Sequence, residues 1–298
     1  MRENEQRRDV YLEPTADLRT RLGIDGSVYG LRHAQRAWYR RVRTDLEALG
    51  WRVHQLDQCV FLKYEGDELI GVCGVYLDDF IIAGKVNDPR WKAAKGKLVG
   101  LYKWGKLQTS SFTLCGVRYL QTNDYSVVLD QQEFTRNIDK AEFHLPKSVH
   151  KLKGKTKLSA AGLETLRGIN GSLQWLVTNT RIDLAAKVSL SASETSNPTI
   201  ASLQKANKII RQAQRHSELP IHIHAIPLDK LNFGVFSDAA WGVRPDGSSQ
   251  GGYLVYASSH DIHGCKEAPV GIMDWKSWKL SRNAEAAFQP NLRQWQML

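Results

Sequence analysis

The 298 residues predict an α+β protein. Three observations lead there. A helix-period apolar pattern stands near the N-terminus, short β-rich runs with turn signals follow it, and a second helical block gives way again to strands. A hydrophobic fraction of 42% with nine tryptophans supplies the apolar surface that a folded core needs and a disordered chain lacks. The length leaves room for two domains.

Residues 1–25 are polar and read as a tail or a truncated edge. In "AQRAWYRRVRTDLEALG", Ala34, Trp38, Val42 and Leu46 recur every four residues and Gly50 stands where a C-cap belongs. That spacing predicts an amphipathic helix with its arginines outward. From Cys59 the period changes. "CVFLKY", the turn "EGDE", "LIGVCGVY" and "FIIAG" predict a three-stranded antiparallel meander whose second connection holds Asp78 and Asp79. The lysine-rich stretch 85–160 carries a helix at "DPRWKAAKGKLVGLY" and strands at "SFTLCGVRYL" and "YSVVLDQ". Two or three helices are expected over 159–216, with Ser159 and Thr199 as N-caps. From His222 onward "IHIHAI", "LNFGVFSDAAW" and "GGYLVYAS" return to strand character, and the polar "RHSELP" at 215–220 is the candidate boundary.

Charge and cysteine content narrow the function classes. A net charge of +10 favours a polyanionic partner, because a summed positive field attracts phosphates at long range. Cys59, Cys73, Cys115 and Cys265 form no CxxC pair, so neither a disulfide framework nor a zinc ribbon is indicated. The triad His260, His263 and Cys265 contains zinc ligand types, but its segment reads more simply as a hairpin connection. No apolar h-region follows Met1 and no run of eighteen apolar residues occurs. The expectation is an intracellular chain, in a cytoplasmic particle or the nucleus, with no signal peptide and no membrane contact.

The adjacent carboxylates Asp78 and Asp79, set between apolar strands, admit two readings. As turn residues they would only solvate a hairpin tip. As a pair forced together where strands remove water they would repel, and a divalent cation would neutralise them. Phosphoryl and nucleotidyl transfer sites use such carboxylates to hold ions roughly 3.5–4 Å apart.

Context favours the second reading. "YLDD", preceded by "YGLRHAQRAWY", resembles the reverse transcriptase family and, among its branches, the copia-type retrotransposon Pol polyproteins. The resemblance implies that Tyr76, Leu77, Asp78 and Asp79 form the palm hairpin box, with Asp78 and Asp79 catalytic and binding Mg²⁺ or Mn²⁺. It implies that Tyr76 packs under a primer terminus and that Arg32, Gln35, Arg36, Trp38 and Tyr39 support template or nucleotide binding. Gln35 stands where the family has proline. "GSLQWLVTNTRIDLA" is similar to the family's GxLxWLxxxTRPDLA segment, with Ile182 in place of proline. "NFGVFSDAAWGVRPDGSSQGGYLVY" and "DWKSWKLSRNAEAAF" resemble the start of an attached RNase H-like region, where Asp238 matches a catalytic, metal-binding carboxylate and Glu285 a second catalytic acid.

The organisation this implies is a partial reverse transcriptase palm over 26–110, a thumb or connection region over 111–218, and an incomplete RNase H-like mixed sheet over 219–298. The partners implied are an RNA template, a DNA primer or RNA–DNA hybrid, and deoxynucleoside triphosphates. The family's third palm carboxylate belongs to a strand before Ser27, where Asp9 is a poor substitute. The expected activity is therefore that of a truncated, inactive RNA-directed DNA polymerase. The competing reading is a non-catalytic, basic nucleic-acid-binding module, in which the lysines at 85–106 and 147–157 follow phosphates while Trp91, Tyr102 and Trp104 stack bases.

Overall fold

The computed structural model describes residues 34–141, 154–244, 246–264 and 267–280, which fall into two compact units dividing after Leu107. The boundary candidate at 215–220 lies inside the second unit, because the strand that follows it pairs with one far upstream. Helix and sheet are mixed in both units, in keeping with the α+β expectation.

In the first unit, helix α1 (Ala34–Ala48) precedes strands β1 (Trp51–Val53), β2 (Val60–Glu65), β3 (Glu68–Tyr76) and β4 (Asp79–Gly84), and helix α2 (Pro89–Val99) follows. The strands form one antiparallel sheet in the order β1-β2-β3-β4. The meander is thus one strand larger than its pattern suggested. β1 has only three residues, too few to show a period. The predicted helix is present, and Gly50 has the positive φ of a C-terminal stop, +77°.

Register places Val53 opposite Phe61, Phe61 opposite Cys73, Cys73 opposite Ile82 and Val75 opposite Phe80. Directly paired residues share a face of the sheet. Val42 and Leu46 of α1 and Trp91 and Leu98 of α2 bury that face. Trp91 lies flat on two glycines: a Cβ on Gly71 or Gly84, which are register partners, would come 2.4 Å from its ring. Asp88 caps α2, its carboxylate accepting from the Arg90 amide at 2.8 Å.

The second unit contains a sheet in the order β5 (Ser111–Leu114), β6 (Val117–Gln121), β7 (Val127–Asp130), β8 (Ile221–Ile223). What read as a continuous run, "SFTLCGVRYL", is a hairpin, because Cys115 and Gly116 both take positive φ and reverse the chain. A short helix, α3 (Gln132–Arg136), follows. Helices α4 (Ala160–Asn179), α5 (Ala185–Ser193) and α6 (Ile200–Arg215) bury Leu166, Leu173, Leu176, Val188, Leu203 and Ile210 among themselves. Ser159 and Thr199 cap α4 and α6 as the sequence predicts, Thr199 through a reciprocal box with Ser202.

The "TRIDLA" segment has a structural use. Arg181, 2% exposed, donates to the Ala213 and His216 carbonyls at the end of α6, each at 3.0 Å, and pairs with Asp183. It satisfies carbonyls that a helix end leaves without partners.

Three ten-residue strands, β9 (Leu231–Ala240), β10 (Gln250–Ser259) and β11 (Val270–Lys279), form a further antiparallel sheet in the order β11-β10-β9. Trp275 of β11 ties it to α4 by donating to the Val177 carbonyl at 2.8 Å. Buried Arg244 and Gln250 tie it to α5 through the Ser189 hydroxyl. Among the described residues no helix is long and apolar enough to cross a membrane.

Candidate functional site

The β3–β4 hairpin pairs Tyr76 with Asp79, so its turn consists of Leu77 and Asp78 alone. Of these two, only Leu77 has positive φ, +52°. Glycine usually takes the first position of a turn with that sign pattern, and a bulky side chain there is a strained choice. Asp78 and Asp79 are both exposed. The expectation that flanking strands dehydrate the pair is therefore corrected: the turn projects beyond the sheet, and solvent reaches both carboxylates.

Tyr76 and Asp79 share the sheet face opposite to Val75 and Phe80. The face carrying Asp79 is thus not the one covered by the helices. On the covered side the hairpin is held in two ways. The Trp38 indole N–H donates to the Leu77 carbonyl at 2.8 Å, fastening the turn to α1. Phe80, next to Asp79, meets Trp104 edge-on at 4.8 Å between ring centroids. Tyr102 joins them, 5.5 Å from both Trp38 and Trp104, and its hydroxyl donates to Asp45 at 2.8 Å. Burial and the Asp45 carboxylate push the Tyr102 hydroxyl pKa up, so it remains a donor at neutral pH.

The structure brings together part of the predicted set. Tyr76, Asp78, Asp79 and Trp38 converge at the turn. Gln35 and Arg36 are exposed on the first turn of α1, and Tyr39 donates to the Gln58 carbonyl at 2.9 Å. Arg32 and Glu285 lie outside the described residues, as do Cys265 and Asp9. Asp238 belongs to a different unit from the aspartate pair. It is exposed on β9 opposite Gly252, and its carboxylate accepts from the amide of its own neighbour Ala239 at 2.7 Å. Among the described residues no group of three or more His, Cys, Asp or Glu side chains is placed to share a metal ion.

Sequence reasoning missed Tyr102, Trp104 and Asp45 as supports of the hairpin. The binding-module reading assigns Trp91, Tyr102 and Trp104 to base stacking, and the structure engages all three otherwise. Trp91 is 4% exposed against Gly71 and Gly84, Tyr102 bonds Asp45, and Trp104 packs on Phe80 and donates to the Val99 carbonyl.

Residues 17–150, a span that includes α1 and the aspartate turn, match the family model described as reverse transcriptase (RNA-dependent DNA polymerase). The retrovirus-related Pol polyprotein from transposon RE1 of Arabidopsis thaliana is 28% identical over 260 residues, covering 83% of this chain and 17% of the relative. The corresponding polyprotein from transposon RE2 of the same plant is 28% identical over 261 residues, with the same coverage. The chain thus spans 17% of the length of the curated relatives it matches. No solved structure matches it. Residues 17–150 are thus similar to reverse transcriptases, and 83% of the chain is similar to retrovirus-related Pol polyproteins of plant transposons.

Proposed function

We propose that the first unit carries the metal-binding turn of an RNA-directed DNA polymerase, with Asp78 and Asp79 as the ligands. One observation carries this reading: the family's Tyr-x-Asp-Asp box occupies a hairpin turn whose backbone is fastened to the "AQRAWY" helix through Trp38. The donor set fits the ion. Magnesium takes hard oxygen ligands, keeps several waters, and is commonly held by one or two carboxylates plus substrate phosphates. Two solvent-facing carboxylates with an open side suit that arrangement. When bound, the metal supplies activation of a primer 3′-hydroxyl and charge neutralisation at the departing pyrophosphate. Asp78 and Asp79 would hold it, Tyr76 lies on the same sheet face as Asp79, and Arg36, exposed on α1, would meet a polyanionic template or nucleotide. The partners in this reading are an RNA template, a DNA primer and deoxynucleoside triphosphates.

The β9–β11 sheet, with Asp238 on its first strand, is read as the beginning of an RNase H-like region acting on RNA–DNA hybrid. Three antiparallel ten-residue strands in meander order support that assignment.

The transfer chemistry uses two ions, and among the described residues no group of three or more His, Cys, Asp or Glu side chains joins the Asp78–Asp79 pair. We therefore propose that the described residues by themselves do not extend a primer. Primer extension on an RNA template with Mg²⁺ or Mn²⁺ tests both statements. Incorporation that disappears in Asp78→Asn would overturn the expected inactivity and support the site. Incorporation that survives in Asp78→Asn would overturn the site.

A further inference from the structure

We infer that Trp38 is a positioning residue: its indole N–H sets the backbone conformation of the Leu77–Asp78 turn and so the direction in which Asp78 and Asp79 present their carboxylates. The inference rests on the metal-binding reading of that turn. It departs from the template-binding role that the family resemblance implies for Trp38.

Three independent features carry it. The bond is local to the turn, since the Leu77 carbonyl that Trp38 holds belongs to the residue immediately before Asp78. The turn is strained at that same residue, with Leu at φ +52°, where a side chain is disfavoured and the surroundings must hold the conformation. Finally, the ring cannot swing away freely, because Tyr102 stands 5.5 Å from it and is itself fixed by Asp45 and by Trp104. The peptide linking Leu77 to Asp78 is thus clamped on its carbonyl side, while Asp78 and Asp79 are both exposed residues. If the bond is lost, that peptide can rotate about ψ of Leu77 and φ of Asp78, and the Asp78 carboxylate turns with it.

Three substitutions separate positioning from general support. Trp38→Phe keeps an aromatic ring and removes the donor. Val42→Ala, one turn further along α1, weakens the same core but leaves the hydrogen bond to the turn in place. Leu77→Gly allows positive φ at no steric cost, so the turn no longer depends on being held. The readouts on the full chain are Mn²⁺ affinity by electron paramagnetic resonance and amide hydrogen exchange at residues 77–79.

Trp38→Phe is expected to weaken Mn²⁺ binding about fivefold, the size of one modest hydrogen bond, and to speed exchange at 77–79. Val42→Ala is expected to lower the unfolding temperature while leaving Mn²⁺ affinity within about twofold of the wild type. In the Leu77→Gly background, adding Trp38→Phe is expected to cost less than about twofold. Equal losses of affinity in Trp38→Phe and Val42→Ala, or the same loss with and without Leu77→Gly, would overturn the inference. If Asp78→Asn with Asp79→Asn leaves Mn²⁺ binding unchanged, the metal reading fails. Hydrogen exchange then decides the positioning claim alone, and unaltered exchange at 77–79 in Trp38→Phe would overturn it.

Discussion

Two regions of this chain present acidic side chains from β-structure, and they are built differently. In the first unit, Asp78 and Asp79 sit at a two-residue turn that is tied to α1 by Trp38 and braced by Phe80 against Trp104. In the second, Asp238 sits within β9, the outer strand of its sheet among the described residues, with Phe233 and Phe236 60% and 64% exposed nearby. Its carboxylate is occupied by a backbone amide one residue away. A framed turn can hold charge in a fixed direction, whereas a bare strand leaves an acid to solvent and to its own backbone. The contrast teaches that neighbouring side chains, rather than the acid itself, decide how firmly the backbone under a carboxylate is held.

The strongest way to break this contrast is to disturb the sheet beneath the turn. Gly84→Ala would drive a Cβ into Trp91 and to 2.7 Å from the Ile70 carbonyl. The expected cost is about 3 kcal/mol, at the upper end for overpacking a core, measured by urea unfolding of the first unit. Gly252→Ala in β10, where the nearest backbone atom would be 3.6 Å away, is expected to cost under about 1 kcal/mol. Equal costs would show that the frame is no tighter than the bare sheet.

Truncating one aromatic in each region gives the next largest difference. Trp104→Ala removes the edge contact with Phe80 and the contact with Tyr102, and is expected to cost about 2 kcal/mol. Phe236→Ala removes a side chain that is mostly in water and stacks on Tyr256, so about 0.5 kcal/mol is expected from urea unfolding of the second unit.

Thiol chemistry probes the same contrast without changing the core. Burial pushes the Cys73 thiol up to about 12, while Cys59 and Cys115 are exposed. With Cys265 replaced by serine, two thiols should react with a disulfide reagent at pH 8 and Cys73 should react only on unfolding. Fast labelling of Cys73 would show that the face under the hairpin opens.

The smallest effect is on pH dependence. Hydrogen bonding from the Arg90 guanidinium holds the Asp88 carboxyl at about 2, below the ordinary value of about 4. Because the folded pKa is depressed, this contribution is complete above pH 4 and is lost as pH falls toward 2. Asp88→Asn should flatten the acid limb of the first unit's stability curve between those values, and an unchanged limb would count against the capping pair.

Much of the frame was legible in local spacing. Val42 and Leu46 announced the buried stripe of α1, and Ser159 and Thr199 announced helix starts. β11 was missed because Met273 is an extra residue that breaks its two-residue alternation, opposite the register shift at Val255 and Tyr256. The glycines at 71 and 84 carried a usable signal, since an isolated glycine within a strand pattern marks a close approach. The partnerships of Trp38 with Leu77 and of Tyr102 with Asp45 join residues 39 and 57 positions apart, and no local period encodes them. The aspartate pair itself was visible as a motif, but its exposure and the strain at Leu77 are properties of the folded turn.

The most direct test of the account is paramagnetic line broadening by Mn²⁺ in the amide spectrum of the full chain. The account predicts that, at low ion concentration, the amides of residues 76–81 and the Trp38 indole signal broaden first, with residues 236–240 unaffected. Broadening that begins at Asp238, or spreads evenly over the exposed acids, would contradict the claim that the framed turn is the metal site.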